Sequence, residues 1–257
     1  MNFSLPLRIL GSLLLIGSLT SCAKVPTDTN TTPSRLIDVT VTLNGAVNPN
    51  YFYFVLIHRT DDNSEAGPVP VVAPPWNNGF AAASQANQQG FVGTVVYSNF
   101  GGLSGYEVYR VPTDANNVPT ARPYEIGVGL TGFVSVGQPD RSTTPQTGER
   151  VLNFRLDLAR LPNPNARFLK INFLATNNLP AGVDPNAPKL WDALGDGRGG
   201  GDVGSLNTFI TIDVTQDQRR DNSAGTEPQG DVRDHLGPII DEPSLDITDW
   251  SVQVLSR

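Results

Sequence analysis

The sequence predicts an all-β chain folded as an antiparallel β-sandwich with long loops and at most one short helix. Three observations predict it. Apolar residues alternate with polar ones over several separate stretches, glycine and proline (25 and 21 of 257 residues) punctuate the chain between them, and helical spacing is scarce.

The elements follow in order. Ile37, Val39, Val41 and Leu43 point one way while Asp38, Thr40 and Thr42 point the other, as in a strand with one wet face. Tyr51 to Ile57 is apolar on both faces, which places it in the middle of a sheet or under a covering loop. Phe91 to Tyr97 and Tyr106 to Val111 read as further strands, and Tyr124, Ile126, Val128 and Leu130 alternate with Glu125 and two glycines. Leu152, Phe154, Leu156 and Leu158 oppose Asn153, Arg155 and Asp157; Ile210, Ile212 and Val214 oppose Thr211 and Asp213. Arg167 to Ala175 and Trp250 to Leu255 complete the set. The one helix expected is Pro188 to Leu194, because Leu190 and Leu194 share a helical face and Gly195 suits a left-handed stop. Short strands in this number suit a jelly-roll or Ig-like sandwich, and the lack of a repeat of fixed period argues against propellers and solenoids.

Residues 176–206 are rich in Gly, Pro, Asn and Asp and are read as a long loop within one domain spanning residues 36–257. The strands beyond Asn207 are too few to stand alone, so they are expected to pair with the earlier sheet.

The N-terminus carries an address. Arg8 precedes an apolar run from Ile9 to Leu19, and Leu19-Thr20-Ser21-Cys22 ends it with the only cysteine of the chain. The run is too short to span a bilayer, which takes about 20 apolar residues. Residues 1–22 resemble the signal of bacterial lipoproteins. That resemblance implies cleavage before Cys22, a diacylglycerol on its sulfur and an acyl chain such as palmitate on its new amino group. Several acyl chains anchor durably where one is marginal. An ordinary signal peptide cut near Ser21, leaving Cys22 as a thiol, is the alternative. In the resembled class Ala23, rather than Asp, after the cysteine points to the outer membrane or cell surface. Residues 22–35 then read as a lipidated N-terminus and a flexible Thr- and Pro-rich tether.

Removing 21 of 257 residues leaves 236, with 17 basic residues against 25 acidic. Lys24, Lys170 and Lys189 are the only lysines among them, so nucleic acid is excluded as a partner by charge. With Cys22 lipidated there is neither an internal disulfide nor a thiol nucleophile.

Candidate chemistry lies in loops. No zinc-protease H-E-x-x-H, P-loop, dinucleotide fingerprint or G-x-S-x-G elbow is present, which argues against an enzyme. His58 follows a strand and reads as a hydrogen-bonding residue, and His235 sits in Asp231-Val232-Arg233-Asp234-His235 without partners at triad spacing. Asp231, Asp234, Asp241, Glu242, Asp246 and Asp249 crowd 19 residues with one base, Arg233. Hard oxygen ligands on irregular backbone suit a structural Ca²⁺, although no cofactor is required and Asp is also a routine turn residue. Gly199 to Asp202 resembles a repeat-in-toxin calcium turn, from which Arg198 and Gly204 depart. The long connection from Thr60 to Gln89 carries Trp76, Asn77, Asn78 and Phe80. Flat rings beside amides suit a sugar ligand; the alternative is that the rings fold back and cap the sandwich. The expected function is that of a lipid-anchored envelope or surface protein binding a glycan or protein partner without catalysis. A structural role in envelope assembly and glycan hydrolysis by paired carboxylates are the alternatives.

Overall fold

Alternation along each strand decides which face is buried. The computed structural model describes residues 35–71, 76, 78–82, 90–121, 126–180, 187–194, 209–223, 225, 227–234 and 237–256. The strands are β1 (Arg35–Leu43), β2 (Phe52–Thr60), β3 (Val69–Pro70), β4 (Ala81–Ala82), β5 (Gly93–Ser98), β6 (Gly105–Arg110), β7 (Val134–Ser135) and β8 (Arg141–Thr143). They continue with β9 (Val151–Asp157), β10 (Phe168–Thr176), β11 (Leu190–Ala193), β12 (Ile210–Asp213), β13 (Gln218–Asp221), β14 (Arg233–Asp234) and β15 (Ile247–Ser256). The only helical element among the described residues is a 3-10 turn at Leu158–Arg160, capped by the Asp157 carboxylate accepting from the Ala159 N–H.

Two antiparallel sheets pack together as a β-sandwich. Sheet A runs β13-β15-β1-β9-β8; sheet B runs β14-β11-β10-β2-β5-β6-β7, with β12 sharing the β10 edge beside β11. Residues Thr32–Arg257 form one compact unit. The C-terminal β15 lies between β13 and β1, so among the described residues the last strand pairs with the first.

Register builds the core. In sheet A, Val39 stands opposite Val252 and Phe154, and Val41 opposite Trp250 and Leu152. They meet Val55, Ile57, Val95, Val108, Ile171 and Phe173 of sheet B in one buried cluster. Sheet B also buries its second face. Phe52, Phe54, Leu56, Val96 and Leu174 are covered there by Phe80, Phe91, Val111, Ile126 and Phe133, which lie outside the long strands. This is why β2 is apolar on both sides and buried along all nine residues.

Two expected elements are corrected. Pro188 to Leu194 is not a helix: Leu190–Ala193 is β11, pairing Ala193 with Leu174 and Trp191 with Thr176. A spacing of four places Leu190 and Leu194 on one face of a strand as well as of a helix, and the open β10 edge supplies ladder hydrogen bonds. The stretch from Tyr124 to Leu130 is not a strand where it is described. Thr131 N–H donates to the Val128 carbonyl, and Gly129 and Gly132 have φ of 62° and 88°, left-handed backbone incompatible with a strand. Tyr124 and Glu125 lie outside the described residues.

Candidate functional site

Of the two readings of Trp76 and Phe80, a sugar platform or a buried cap, burial decides for the second. Trp76 and Phe80 are both 0% exposed. Phe80 stacks on Phe54 with ring centroids 4.4 Å apart, and Phe91 and Phe133 flank it at 5.8 Å each. Asn78 is buried too; its Oδ1 accepts from the Phe80 and Ala81 N–H groups at 3.0 and 2.9 Å, and its carbonyl accepts from Gly129 N–H at 2.7 Å. The sugar shelf at Trp76, Asn78 and Phe80 is therefore corrected in favour of buried rings: Phe80 caps sheet B on Phe54 of β2, and Trp76 packs with Val71 and Ala187, because burying the rings removes apolar surface from water. Asn77 lies outside the described residues.

Buried cations sit in the same layer. Lys189, 0% exposed, donates to the Val71 carbonyl at 2.5 Å, and its Nζ lies 5.3 Å from the Trp76 ring centroid. Burial pushes its pKa down to about 7. Lys170 donates to the Asn63 carbonyl at 2.8 Å and to the Glu65 carbonyl, and burial lowers its pKa as well. His58 stands opposite Lys170 with Nε2 3.2 Å from the Glu65 carboxylate, and burial lowers its pKa despite that partner. These groups anchor the covering loops to sheet B.

The C-terminal acids separate. Asp231 and Asp246 are brought together, and Asp192 of β11 joins them, with one carboxylate oxygen from each within 4.8 Å of the others. All three are buried. The other four acids take separate places. Asp234 lies on β14; Asp241 is exposed, near enough to help raise the pKa of Asp246; Glu242 accepts from the Tyr51 hydroxyl at 3.3 Å; and Asp249 Oδ1 accepts from the Trp250 N–H at 2.8 Å.

Asp192 belongs to the side of sheet B that faces sheet A, since its neighbour Trp191 points into the covered layer. Its Oδ2 accepts from the Ile247 N–H of β15 at 2.5 Å, linking the two sheets. Asp246 Oδ2 accepts from the Asn44 amide at 2.9 Å and from Gly230 N–H at 2.8 Å. Burial raises the Asp246 pKa against those donors. The signal that finds Asp192 is parity: in a strand it shares a face with Leu190 and Leu194, and an acid on an apolar face needs a partner.

Sheet A leaves its outer face open. Thr40, Thr42, Asp221, Asn222, Thr248 and Ser251 help line a cleft of about 620 Å³. Along β13, Arg219 donates to Asp221 at 3.2 Å. Asp221 is held below the ordinary carboxylate range by the Ser223 hydroxyl and backbone N–H and by Arg219. A second depression on the same face, of about 250 Å³, is lined in part by Arg141, Thr143 and Asn153 and crossed by the Asp38–Arg155 pair. Arg155 grips that carboxylate with two contacts of 2.6 Å.

Cys22, the Gly199 to Asp202 turn and His235 lie outside the described residues. No family model, curated protein or solved structure matches this chain.

Proposed function

We propose that this chain is a lipid-anchored protein of the cell envelope whose β-sandwich binds a polar ligand of glycan type on the outer face of sheet A, without chemistry on it. The observation that carries the ligand half is the open cleft, lined by hydroxyls, an amide and charges. Such groups exchange hydrogen bonds with sugar hydroxyls at little desolvation cost when the surface is already wet. The anchor half rests on Leu19-Thr20-Ser21-Cys22. β1 begins at Arg35, 13 residues past Cys22, and a flexible tether of that length gives a reach of about 20 Å.

Two features favour binding over the alternatives. Asp221 is held low, which suits a fixed hydrogen-bond acceptor and not a general acid, whose pKa is raised. The edge strands β13 and β8 carry exposed Arg219, Arg220 and Arg141, and charged edges oppose assembly by strand addition.

Ser251→Arg and Thr40→Arg place a long side chain on the cleft floor. Both should abolish binding to an envelope-glycan panel while leaving the melting temperature within a few degrees of wild type. Wild-type protein that binds no glycan, or variants that bind as well as wild type, would reject the ligand half. An unmodified Cys22 in the mass spectrum of the mature protein would reject the anchor half.

A further inference from the structure

We propose that the ligand on the outer face of sheet A is an acidic glycan, whose anionic group is seated by Arg141 and Arg155 in the smaller depression while its sugar rings extend over Thr40 into the larger cleft. Resting on the reading of that face as a glycan site, this assignment names the class of glycan it takes.

Register puts the two arginines side by side. Arg141 of β8 stands directly opposite Arg155 of β9 and Thr143 opposite Asn153, while Phe154 between them points into the core. The four polar side chains therefore leave the sheet on its wet face, where they line the depression of about 250 Å³. Thr40 of β1 stands opposite Asn153 on the other side and lines both this depression and the cleft of about 620 Å³. The two hollows meet there. From β13 to β8 the face crosses four strand spacings, about 19 Å at about 4.8 Å each, a track for an extended oligosaccharide lying across the strands.

Charge decides what the depression takes. Arg219 and Arg155, which line the same hollows, are each paired, with Asp221 and Asp38. Arg141 is exposed, and its side chain makes no ion pair or hydrogen bond among the described residues. Asp38 engages Arg155 through Nε and Nη2 and leaves its Nη1 group unengaged. Like charges directly opposite across a ladder repel. A charge that guards an edge strand serves with either sign, and an acid at this position would pair with Arg155. Arginine instead leaves one cation over, on a chain of formal net charge −7, with its fork of donors beside a hydroxyl and an amide. Such a fork holds a carboxylate, sulfate or phosphate through two parallel hydrogen bonds, and the anion offsets the repulsion between the arginines. A neutral sugar supplies no such charge.

The test uses the full-length protein, solubilised, and three probes of equal length: an oligogalacturonate, the same oligosaccharide with its carboxyls reduced to alcohols, and a sulfated dextran oligosaccharide. Titration calorimetry at low salt should show the oligogalacturonate binding at least about tenfold more tightly than its reduced form, as expected of one charge-assisted contact. Added NaCl should shrink that preference. Arg141→Gln should erase it and leave binding of the reduced form unchanged, while Arg220→Gln, which removes an equal charge outside both hollows, should keep it. A preference for either anionic probe over the reduced form supports the proposal, and the tighter of the two names the anion. Wild-type protein that binds the reduced form as tightly as both anionic probes overturns the proposal and leaves the face a glycan site, as does an equal loss in Arg141→Gln and Arg220→Gln. Binding of none of the three overturns the glycan reading and the acidic ligand together. Where Arg141→Gln does not keep the wild-type melting temperature, the wild-type comparison of acidic and reduced probes decides.

Discussion

Sheet A and sheet B bury one face each against the other and treat their second faces in opposite ways. Across sheet A the outward rows are polar from edge to edge: Arg219, Gln253, Asp38, Arg155 and Arg141 form one, and Asp221, Ser251, Thr40, Asn153 and Thr143 the next. Across sheet B the second face carries Phe52, Phe54, Leu56, Val96 and Leu174, roofed by Phe80, Phe91 and Phe133. The first sheet thus meets water with side chains that water satisfies. The second needs a cover drawn from other parts of the chain, and that cover brings Lys170, Lys189 and His58 inside with it. Open polar surface is available for binding, while covered apolar surface is committed to stability.

The comparison can be broken most severely at the strand that completes sheet A. Deleting Trp250 to Arg257 removes most of β15 and leaves β1 and β13 without their shared partner. Circular dichroism should then show no cooperative unfolding. A truncated chain that melts cooperatively would mean that sheet B folds without sheet A.

A smaller perturbation sharpens the difference between the two outer faces. Phe80→Ala should cost about 3–5 kcal/mol in chemical denaturation, the range for deleting a buried aromatic ring. Thr40→Ala on the open face should stay within about 0.5 kcal/mol, as surface substitutions do. Equal costs would erase the contrast.

The covered layer should also be the pH-sensitive one. Lys189 falls from an ordinary 10.5 to about 7 on folding. Below pH 7 it is charged in both folded and unfolded chains, and the folded state bears the full desolvation cost. Between about 7 and 10.5 the unfolded chain binds more protons, so stability rises with pH across that window. The span is on the order of a few kcal/mol for a shift of this size. Lys189→Met should flatten the rise and stabilise the protein at pH 6; an unchanged slope would place its origin elsewhere.

Legibility in the sequence follows the same division. Strand β1 is legible residue by residue, because Asp38, Thr40 and Thr42 stay wet and the alternation survives folding. Strand β2 is legible as central, because nothing polar interrupts Phe52 to Ile57. β11 is not, since its four residues carry one residue spacing shared by helix and strand, and misreading it hides Asp192. Trp76 and Phe80 are legible as a platform or a cap without a choice between the two, because composition does not tell whether a loop lies on the protein or stands off it.

By itself the sequence determined the strand-rich class, the polar side of sheet A, the acidic balance and the lipoprotein-like motif ending at Cys22. These depend on local order along the chain: side-chain parity, charge and a short contiguous signal. Only the tertiary structure decided that the aromatic loop roofs sheet B and that Asp192 joins Asp231 and Asp246. Both bring together residues far apart in the chain, and contacts of that kind are set by which surfaces remain to be buried once the strands have paired.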